Sequence, residues 1–121
     1  MNGGHPFIVS LHFAFQDPLH IYFCLEFVSR GDLYEQIAKR KFPEDWCKIY
    51  VAEVALALEH CHANKFVYRD LKPENVLIGN DGHLKLADFG LAKKIENGGR
   101  LQSLVGSYHS IAPEVFMERD Y

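Results

Sequence analysis

The sequence has little of what marks membrane, secreted or nucleic-acid-binding proteins. Its apolar runs stay well short of the roughly 20 residues that span a bilayer. Residues 1–6 lack the charged-then-apolar order of a secretory signal. The formal net charge of −3 gives no strong positive field that would attract nucleic acid. We therefore expect neither a membrane nor a nucleic acid to be a partner.

Cysteine is scarce, and its spacing does not indicate a disulfide framework. The 3 cysteines, Cys24, Cys47 and Cys61, are odd in number and contain no C-x-x-C pair, which favours a reducing, intracellular and cytoplasmic location. His60 and His62 flank Cys61, but neighbours on a helix point in different directions. We interpret Cys61 as a small buried apolar residue rather than as a zinc ligand.

What is present is the composition of a globular domain. Of the 121 residues, 48% are hydrophobic and 24% are charged. Two apolar runs at residues 7–15 and 20–28 flank Asp17-Pro18 and predict an antiparallel hairpin, with the first run in the sheet core. Residues 76–78 and 84–86 flank a Gly-Asn-Asp-Gly turn and predict a second, shorter hairpin. Beyond Asp88 the glycines predict a loop-like chain.

Two helices are predicted between the hairpins. Asp32 suits the N-cap of a short helix that ends in a basic run at residues 39–41. Pro43 suits the start of a longer helix with Asn64 as its stop. The apolar stripe of the longer helix is wide, so we expect it to be well buried. Strands and helices together predict an α+β fold.

One polar octet, Y68-R-D-L-K-P-E-N75, interrupts this apolar region. A solvated turn would tolerate these side chains but would not require a carboxylate, an amine and an amide at fixed offsets. If the second hairpin folds back, Asn75 at its entrance and Asp88 at its exit come together, and such oxygens suit Mg²⁺ with phosphate. Asp70 is then placed to orient a hydroxyl or accept its proton, and Lys72 to neutralise a phosphoryl group. The octet therefore predicts phosphoryl transfer.

The octet, followed by Asp88-Phe89-Gly90 and then Ala112-Pro113-Glu114, resembles the catalytic half of a eukaryotic protein kinase. Lys72-Pro73-Glu74 resembles serine/threonine kinases rather than tyrosine kinases. Tyr68 and Gly31-Asp32-Leu33 are similar to the AGC, or cyclic-nucleotide-dependent kinase-like, group. The chain is identified as a partial catalytic domain of this family.

The resemblance implies a division of the fold and a set of roles. It assigns residues 1–25 to a strand hairpin of the N-terminal lobe, 26–31 to the hinge, and 32–121 to the C-terminal lobe with its catalytic and activation loops. ATP and Mg²⁺ are the implied cofactors, and a protein with a target serine or threonine is the implied partner. The implied residues are Asp70, Lys72 and Asn75 for catalysis; Glu26, Val28, Leu77 and Asp88 for the nucleotide; and Asn75 and Asp88 for the metal.

Further residues are assigned to substrate and regulation. Asp32, Glu74 and Ser107 match substrate-side positions, although Asp32 is as readily read as a helix cap and Glu74 as a surface acid. Ser103 matches an activation-loop phosphosite, which implies an upstream activating kinase. Residues 106–110 read Gly-Ser-Tyr-His-Ser where the group has G-T-P-E-Y, so the group's substrate preference does not carry over.

Two kinase features are missing from this chain: a G-x-G-x-x-G loop and the strand lysine that pairs with the phosphates. We therefore expect a piece of a kinase, inactive by itself and with an exposed apolar patch. The alternative is a catalytically silent kinase-like fragment that acts only as a binding or interaction module.

Overall fold

The computed structural model describes residues 4–95, 101 and 105–117. In chain order the described elements are strands β1 (Leu11–Gln16) and β2 (Ile21–Leu25), helices α1 (Leu33–Lys39) and α2 (Glu44–Ala63), strand β3 (Phe66–Val67), a 3₁₀ turn (Pro73–Asn75), strands β4 (Val76–Ile78), β5 (Leu84–Leu86) and β6 (Lys93–Lys94), and helix α3 (Pro113–Phe116). The strands pair antiparallel as β1–β2, β3–β6 and β4–β5. Among the described residues, no helix is long and apolar enough to cross a bilayer.

The first hairpin forms where the sequence predicted it, but with shorter strands and no covering layer. Asp17 closes its turn by accepting hydrogen bonds from the backbone N–H groups of Leu19 and His20, both at 2.7 Å. Phe13 and Phe15 remain 58% and 52% exposed. The prediction that this strand lies in the sheet core is therefore wrong for the described chain, because no described element packs across the two-stranded sheet. This hairpin exposes an apolar surface in addition to the patch expected on the long helix, where Ile49 and Val51 are exposed.

Residues 7–9 leave the predicted strand because they pair elsewhere. Leu86 N donates to Phe7 O at 2.8 Å, and Val9 N donates to Leu86 O at 2.9 Å. Ile8 consequently forms a parallel bridge with Leu86, at the edge of the second hairpin. The start of the chain is in this way attached to the strand that leads into the candidate site.

Both helices form as predicted, although α2 is buried along a narrower stripe. The Asp32 carboxylate accepts from Glu35 N at 2.8 Å and caps α1. α2 is bounded by Pro43 and Asn64. It buries only the four side chains Tyr50, Glu53, Ala57 and Cys61, whereas Ile49 and Val51 are 51% and 70% exposed. The expectation of a well-buried helix is thus met on one face only.

The core lies between that face of α2 and the second hairpin. Its fully buried side chains include Tyr68, Ile78, Leu84 and Leu86. Burial of such side chains stabilises by about 1.5–3 kcal/mol each. The core therefore fixes the loop that Tyr68 begins and the hairpin that follows it.

A charged residue, Glu53, lies inside this core with 4% of its surface exposed. Its Oε2 accepts from Leu84 N at 2.7 Å, and its Oε1 contacts His83 Nδ1 at 2.5 Å. The hydrogen bond that the His83 ring makes to the Glu53 carboxylate raises the pKa of His83, and the nearby charges of Glu53 and Asp81 raise it further. The apolar pattern of α2 gave no sign of this buried carboxylate.

This pair predicts a pH-dependent contribution to stability. Because the pKa of His83 is higher in the folded chain than in the unfolded one, the contribution is complete below the ordinary histidine value of about 6.5. It is lost as the pH rises through the raised value. NMR titration of the His83 imidazole should give a pKa above the ordinary value, and Glu53→Gln should lower it. An unshifted His83 titration would contradict the pair.

The chain after Asp88 is more regular than predicted. Ile95 N donates to Lys65 O at 2.7 Å beside the β3–β6 pair, and Pro113 starts a short helix. The prediction of a wholly loop-like region is wrong here, because the short strand before the octet supplies backbone partners that a local reading of the sequence does not reveal.

Candidate active site

The polar octet runs from the core outward, between β3 and β4. Tyr68, 2% exposed, donates its hydroxyl to Ala87 O, and its ring contacts Phe89 edge-on with centroids 5.1 Å apart. Burial raises the pKa of the Tyr68 hydroxyl, with the negative charges of Asp88 and Asp70 adding to the effect. The Tyr68 phenol is therefore a neutral hydrogen-bond donor that joins the octet to the Asp88 segment.

Two non-glycine residues of this region have left-handed backbone conformations. The φ angles are 69° at Arg69 and 50° at Asp88. Such conformations cost about 1–3 kcal/mol and concentrate at functional sites. The Arg69 side chain crosses between the two segments, since its Nε donates to Leu91 O at 2.8 Å. Arg69 thus links the octet to the segment that contains Asp88.

The Asp70 carboxylate is the centre of the hydrogen-bond network. Its Oδ2 lies 2.9 Å from Lys72 Nζ and accepts from Asn75 Nδ2 at 2.9 Å, while Oδ1 accepts from Ser107 Oγ at 2.9 Å. Asn75 Nδ2 also donates to Asp70 O at 2.9 Å. Lys72 Nζ donates in turn to Ser107 Oγ at 3.0 Å. Three residues from two separated segments therefore orient one carboxylate.

These contacts determine the charge state of the carboxylate. Burial acts to raise the pKa of Asp70, but hydrogen bonds from Lys72, Ser107 and Asn75 outweigh it and lower the pKa. The Lys72 pKa is raised, first by its hydrogen bond to Asp70, with the charges of Glu74 and Asp88 contributing. At neutral pH the site therefore holds an ionised carboxylate beside an ammonium group.

Asn75 and Asp88 are brought together by the second hairpin. Val76 pairs with Leu86, and one step further Ala87 N donates to Asn75 O at 2.8 Å. Asp88 is the next residue, and its Oδ1 accepts from Gly90 N at 3.0 Å. The charge of Asp88 is felt at both Lys72 and Tyr68. The hairpin thus places an amide against Asp70 and a second carboxylate where its charge acts on Lys72.

The segment that carries Ser107 is joined to the octet by a close backbone contact at Gly106. A Cβ at this position would lie 2.7 Å from Arg69 O, and the φ of Gly106 is 119°. Only glycine fits both the space and the conformation. Ser107 follows directly and reaches Asp70, so the close approach of the two loops delivers the serine hydroxyl to the carboxylate.

The residues assigned to the nucleotide lie on the hairpin and on the segment beside it. Leu77 in β4 pairs with Lys85 in β5 and forms an antiparallel bridge with Asp32. Val28 is half-buried. Glu26 forms a salt bridge with Lys85, with Nζ 2.9 Å from Oε1. These residues border the hairpin that carries Asn75 and Asp88.

The residues assigned to substrate and regulation do not gather around Asp70 in the described part of the chain, apart from Ser107. Asp32 caps α1, as the helix-cap alternative predicted, and its role toward substrate stays a proposal. Glu74 lies exposed in the 3₁₀ turn. Ser103 lies outside the described residues. The sequence reasoning missed Lys85, whose only signal was a cation inside an apolar strand.

The side chains beside Asp70 offer few ligands to a metal ion. Among the residues that the structure describes, no cluster of three or more His, Cys, Asp or Glu side chains gathers as a metal site. Mg²⁺ takes few protein ligands and completes its coordination shell with phosphate and water. The Asn75 amide and the Asp88 carboxylate could supply those few ligands, and the Lys72 ammonium could pair with phosphate. Asn75, Asp88 and Lys72 therefore fit a magnesium–nucleotide group.

Comparison with known proteins identifies the family of this chain. A family description, the protein kinase domain, matches residues 1–121. The chain belongs to the protein kinase family, and the α+β kinase fold inferred from the motifs is confirmed.

Its relatives place it within that family. It is 48% identical over 120 residues to putative ribosomal protein S6 kinase alpha-1 of Caenorhabditis elegans, covering 98% of this chain and 15% of the relative. Identity to human ribosomal protein S6 kinase alpha-2 is 46% over 120 residues, covering 98% and 16%. Identity to protein kinase 3 of Dictyostelium discoideum is 43% over 122 residues, covering 92% and 13%. The predicted resemblance to AGC serine/threonine kinases is confirmed, and the chain spans only 13–16% of the length of these relatives.

Proposed function

We propose that this chain carries the catalytic loop of a Mg²⁺- and ATP-dependent kinase that phosphorylates serine and threonine residues of proteins. The observation that carries the proposal is the Asp70 carboxylate, buried and held on three sides by Lys72, Asn75 and Ser107. A buried carboxylate that is ionised and oriented by three donors is suited to receive a hydroxyl group.

Asp70 acts on the attacking hydroxyl of the protein substrate. The substrate oxygen forms a bond to the γ-phosphorus, the bond from that phosphorus to the β–γ bridging oxygen breaks, and ADP leaves. The hydroxyl proton passes to Asp70. Because its hydrogen bonds lower the pKa of Asp70, the carboxylate is a weak base, so its first task is to orient the hydroxyl and its second is to take the proton late in the reaction.

The other residues supply charge and position. Lys72 neutralises charge on the moving phosphoryl group, and Asn75 and Asp88 hold the metal ion. Bound Mg²⁺ supplies charge neutralisation for the phosphates. The Glu26 and Val28 backbone receives the adenine edge, and Leu77 covers one face of the purine. In this assignment residues 1–25 belong to the N-terminal lobe, 26–31 to the hinge and 32–121 to the C-terminal lobe.

Substrate and regulation complete the proposal. Asp32 and Glu74 offer carboxylates to basic residues near the target hydroxyl, and the three free cysteines suit action inside the cell, in the cytoplasm. Ser103 receives a phosphate from an upstream activating kinase. That phosphate would pair with Arg69 and Lys93 and order the loop.

The test is phosphotransfer by the protein expressed from its complete reading frame. Labelled phosphate should pass from the γ-position of ATP to a serine- or threonine-containing peptide only when Mg²⁺ is present. Ser107→Ala should lower kcat by about tenfold, since Asp70 loses one of its orienting hydrogen bonds. Ser107→Thr keeps the hydroxyl and should restore it.

The silent alternative gives a different result in the same assay. A protein that is folded, as judged by its circular dichroism, but transfers no phosphate with any peptide would overturn the proposed function. That outcome would favour a role in binding alone.

A further inference from the structure

The segment assigned to the hinge is attached to the second hairpin at both of its ends. At its far end Ile78 N donates to Gly31 O at 3.0 Å, and Arg30 N donates to Ile78 O at 3.3 Å. At its near end Lys85 Nζ lies 2.9 Å from Oε1 and 3.2 Å from Oε2 of Glu26. Residues 27–29 are therefore held between two attachments to one hairpin.

The near attachment is made by side chains. Glu26 Oε2 also accepts from Ser10 N at 3.2 Å, and Glu26 N donates to Ser10 O at 2.8 Å. The Lys85 and Glu26 side chains are only 18% and 27% exposed, so water and salt screen this pair less than a surface pair. The Lys85 hydrogen bond lowers the pKa of the Glu26 carboxyl, which keeps the pair charged at neutral pH.

The position of Lys85 in the β4–β5 hairpin connects the Lys85–Glu26 salt bridge to the nucleotide. Lys85 lies directly opposite Leu77, the residue assigned to the purine face. The Lys85 side chain thus connects β5, beside the residue assigned to the purine face, with Glu26, whose carbonyl is assigned to the edge of the base. The pair is the direct link from Glu26 to the hairpin. The other links run through Ser10 to the pairing of Val9 with Leu86, through Ser29 to Asn80, and through Gly31 and Arg30 to Ile78.

We propose that Lys85 is a positioning residue for the nucleotide: its salt bridge to Glu26 fixes the spacing between hinge and purine floor, and so sets both affinity for ATP and preference for adenine over guanine. This inference rests on the proposed function. Lys85 itself contacts neither nucleotide nor reacting atoms. The Glu26 carbonyl can accept from the amino group of adenine but not from the oxo group that guanine has at that position, so a displaced carbonyl discriminates less.

Lys85→Met tests the inference, because it removes the charge and keeps most of the length. In the protein from the complete reading frame, the Kd and KM for ATP should rise roughly five- to tenfold, since small misplacements of binding groups have effects of this size. The ratio of the Kd for GTP to the Kd for ATP should fall by a similar factor. The kcat at saturating ATP should stay within about twofold, because the Asp70 network is untouched.

Two further variants separate positioning from a general structural role. Lys85→Arg keeps the charge and should restore the ATP to GTP ratio. Glu26→Gln keeps the backbone carbonyl and should reproduce the Lys85→Met effect, and the double variant should be no worse than either single variant. Lys48→Met is the matched control, because Lys48 forms salt bridges with Glu44 at 3.1 Å and Asp45 at 3.3 Å on the exposed face of α2. Its nucleotide affinity should equal that of the wild type.

The outcomes distinguish this inference from the proposed function. An unchanged ATP affinity and ATP to GTP ratio in Lys85→Met, in a wild-type protein that transfers phosphate, would overturn the inference and leave the function intact. Wild-type protein that binds ATP with a Lys85-dependent affinity but transfers no phosphate would support the inference and overturn the function. A wild type that binds no nucleotide overturns both.

Discussion

Asp70→Asn is expected to lower the kcat of phosphotransfer by about 10²- to 10⁴-fold, the range that a positioned acid–base group supplies. The amide is nearly the same size as the carboxylate but has no charge and one oxygen fewer. It cannot take the hydroxyl proton, and its single oxygen cannot accept at both positions the hydrogen bonds that now converge on Oδ1 and Oδ2 from Lys72, Asn75 and Ser107. The loss should therefore fall on the chemical step.

The measurement is single-turnover phosphotransfer in the protein from the complete reading frame, combined with nucleotide binding at equilibrium. ATP affinity should remain close to that of the wild type, since no assigned contact to the nucleotide is removed. Asp45→Asn makes the same chemical change on the exposed side of α2 and should leave both quantities unchanged. A kcat for Asp70→Asn within threefold, or about half a logarithmic unit, of wild type would contradict the assignment.

The second large effect is expected on stability, from Glu53→Ala. This change removes the carboxylate that accepts from Leu84 N at 2.7 Å and leaves that N–H buried, since Leu84 is 1% exposed. An unpaired buried donor and a lost partner for His83 together should lower the free energy of unfolding by about 3 kcal/mol. Because Leu84 belongs to the hairpin that carries Asn75 and Asp88, the cost reaches the candidate site.

Urea denaturation of the chain, followed by the fluorescence of Trp46, measures this change. Glu59→Ala is the matched control, because Glu59 lies exposed on the same helix, and it should change the free energy by less than about 0.5 kcal/mol. Glu53→Gln retains an oxygen for Leu84 N and should fall between the two. Equal midpoints for the Glu53→Ala and Glu59→Ala variants would show that the buried carboxylate contributes nothing.

The parts of this molecule that the sequence predicts well are those determined by neighbouring residues. The Gly-Asn-Asp-Gly turn between two short apolar runs determines the second hairpin, and an ordinary antiparallel register then places Asn75 opposite Ala87 and beside Asp88. Asp32 and Pro43 mark where two helices begin because capping and helix initiation are local. The candidate site could be anticipated because its residues lie on these local elements.

The parts that failed depend on partners far along the chain. Phe13 would be buried only if a second layer covered its sheet, and the alternation of residues in a strand does not predict whether such a layer exists. The pairs Glu53–Leu84 and Glu26–Lys85 join residues 31 and 59 positions apart, and no periodicity predicts them. The strand at Lys93–Lys94 exists because Phe66–Val67 offers its edge. Tertiary pairing decided each of these cases.

The contact between Gly106 and Arg69 has a consequence for how such a loop can vary. The separation of the two main chains at this point leaves no room for even a methyl group. The distance from the Ser107 hydroxyl to Asp70 is therefore determined by a contact between two backbones. Neither side-chain repacking nor a change of rotamer can adjust that contact. Adding one carbon at position 106 would push the two segments apart and move the Ser107 hydroxyl away from Asp70.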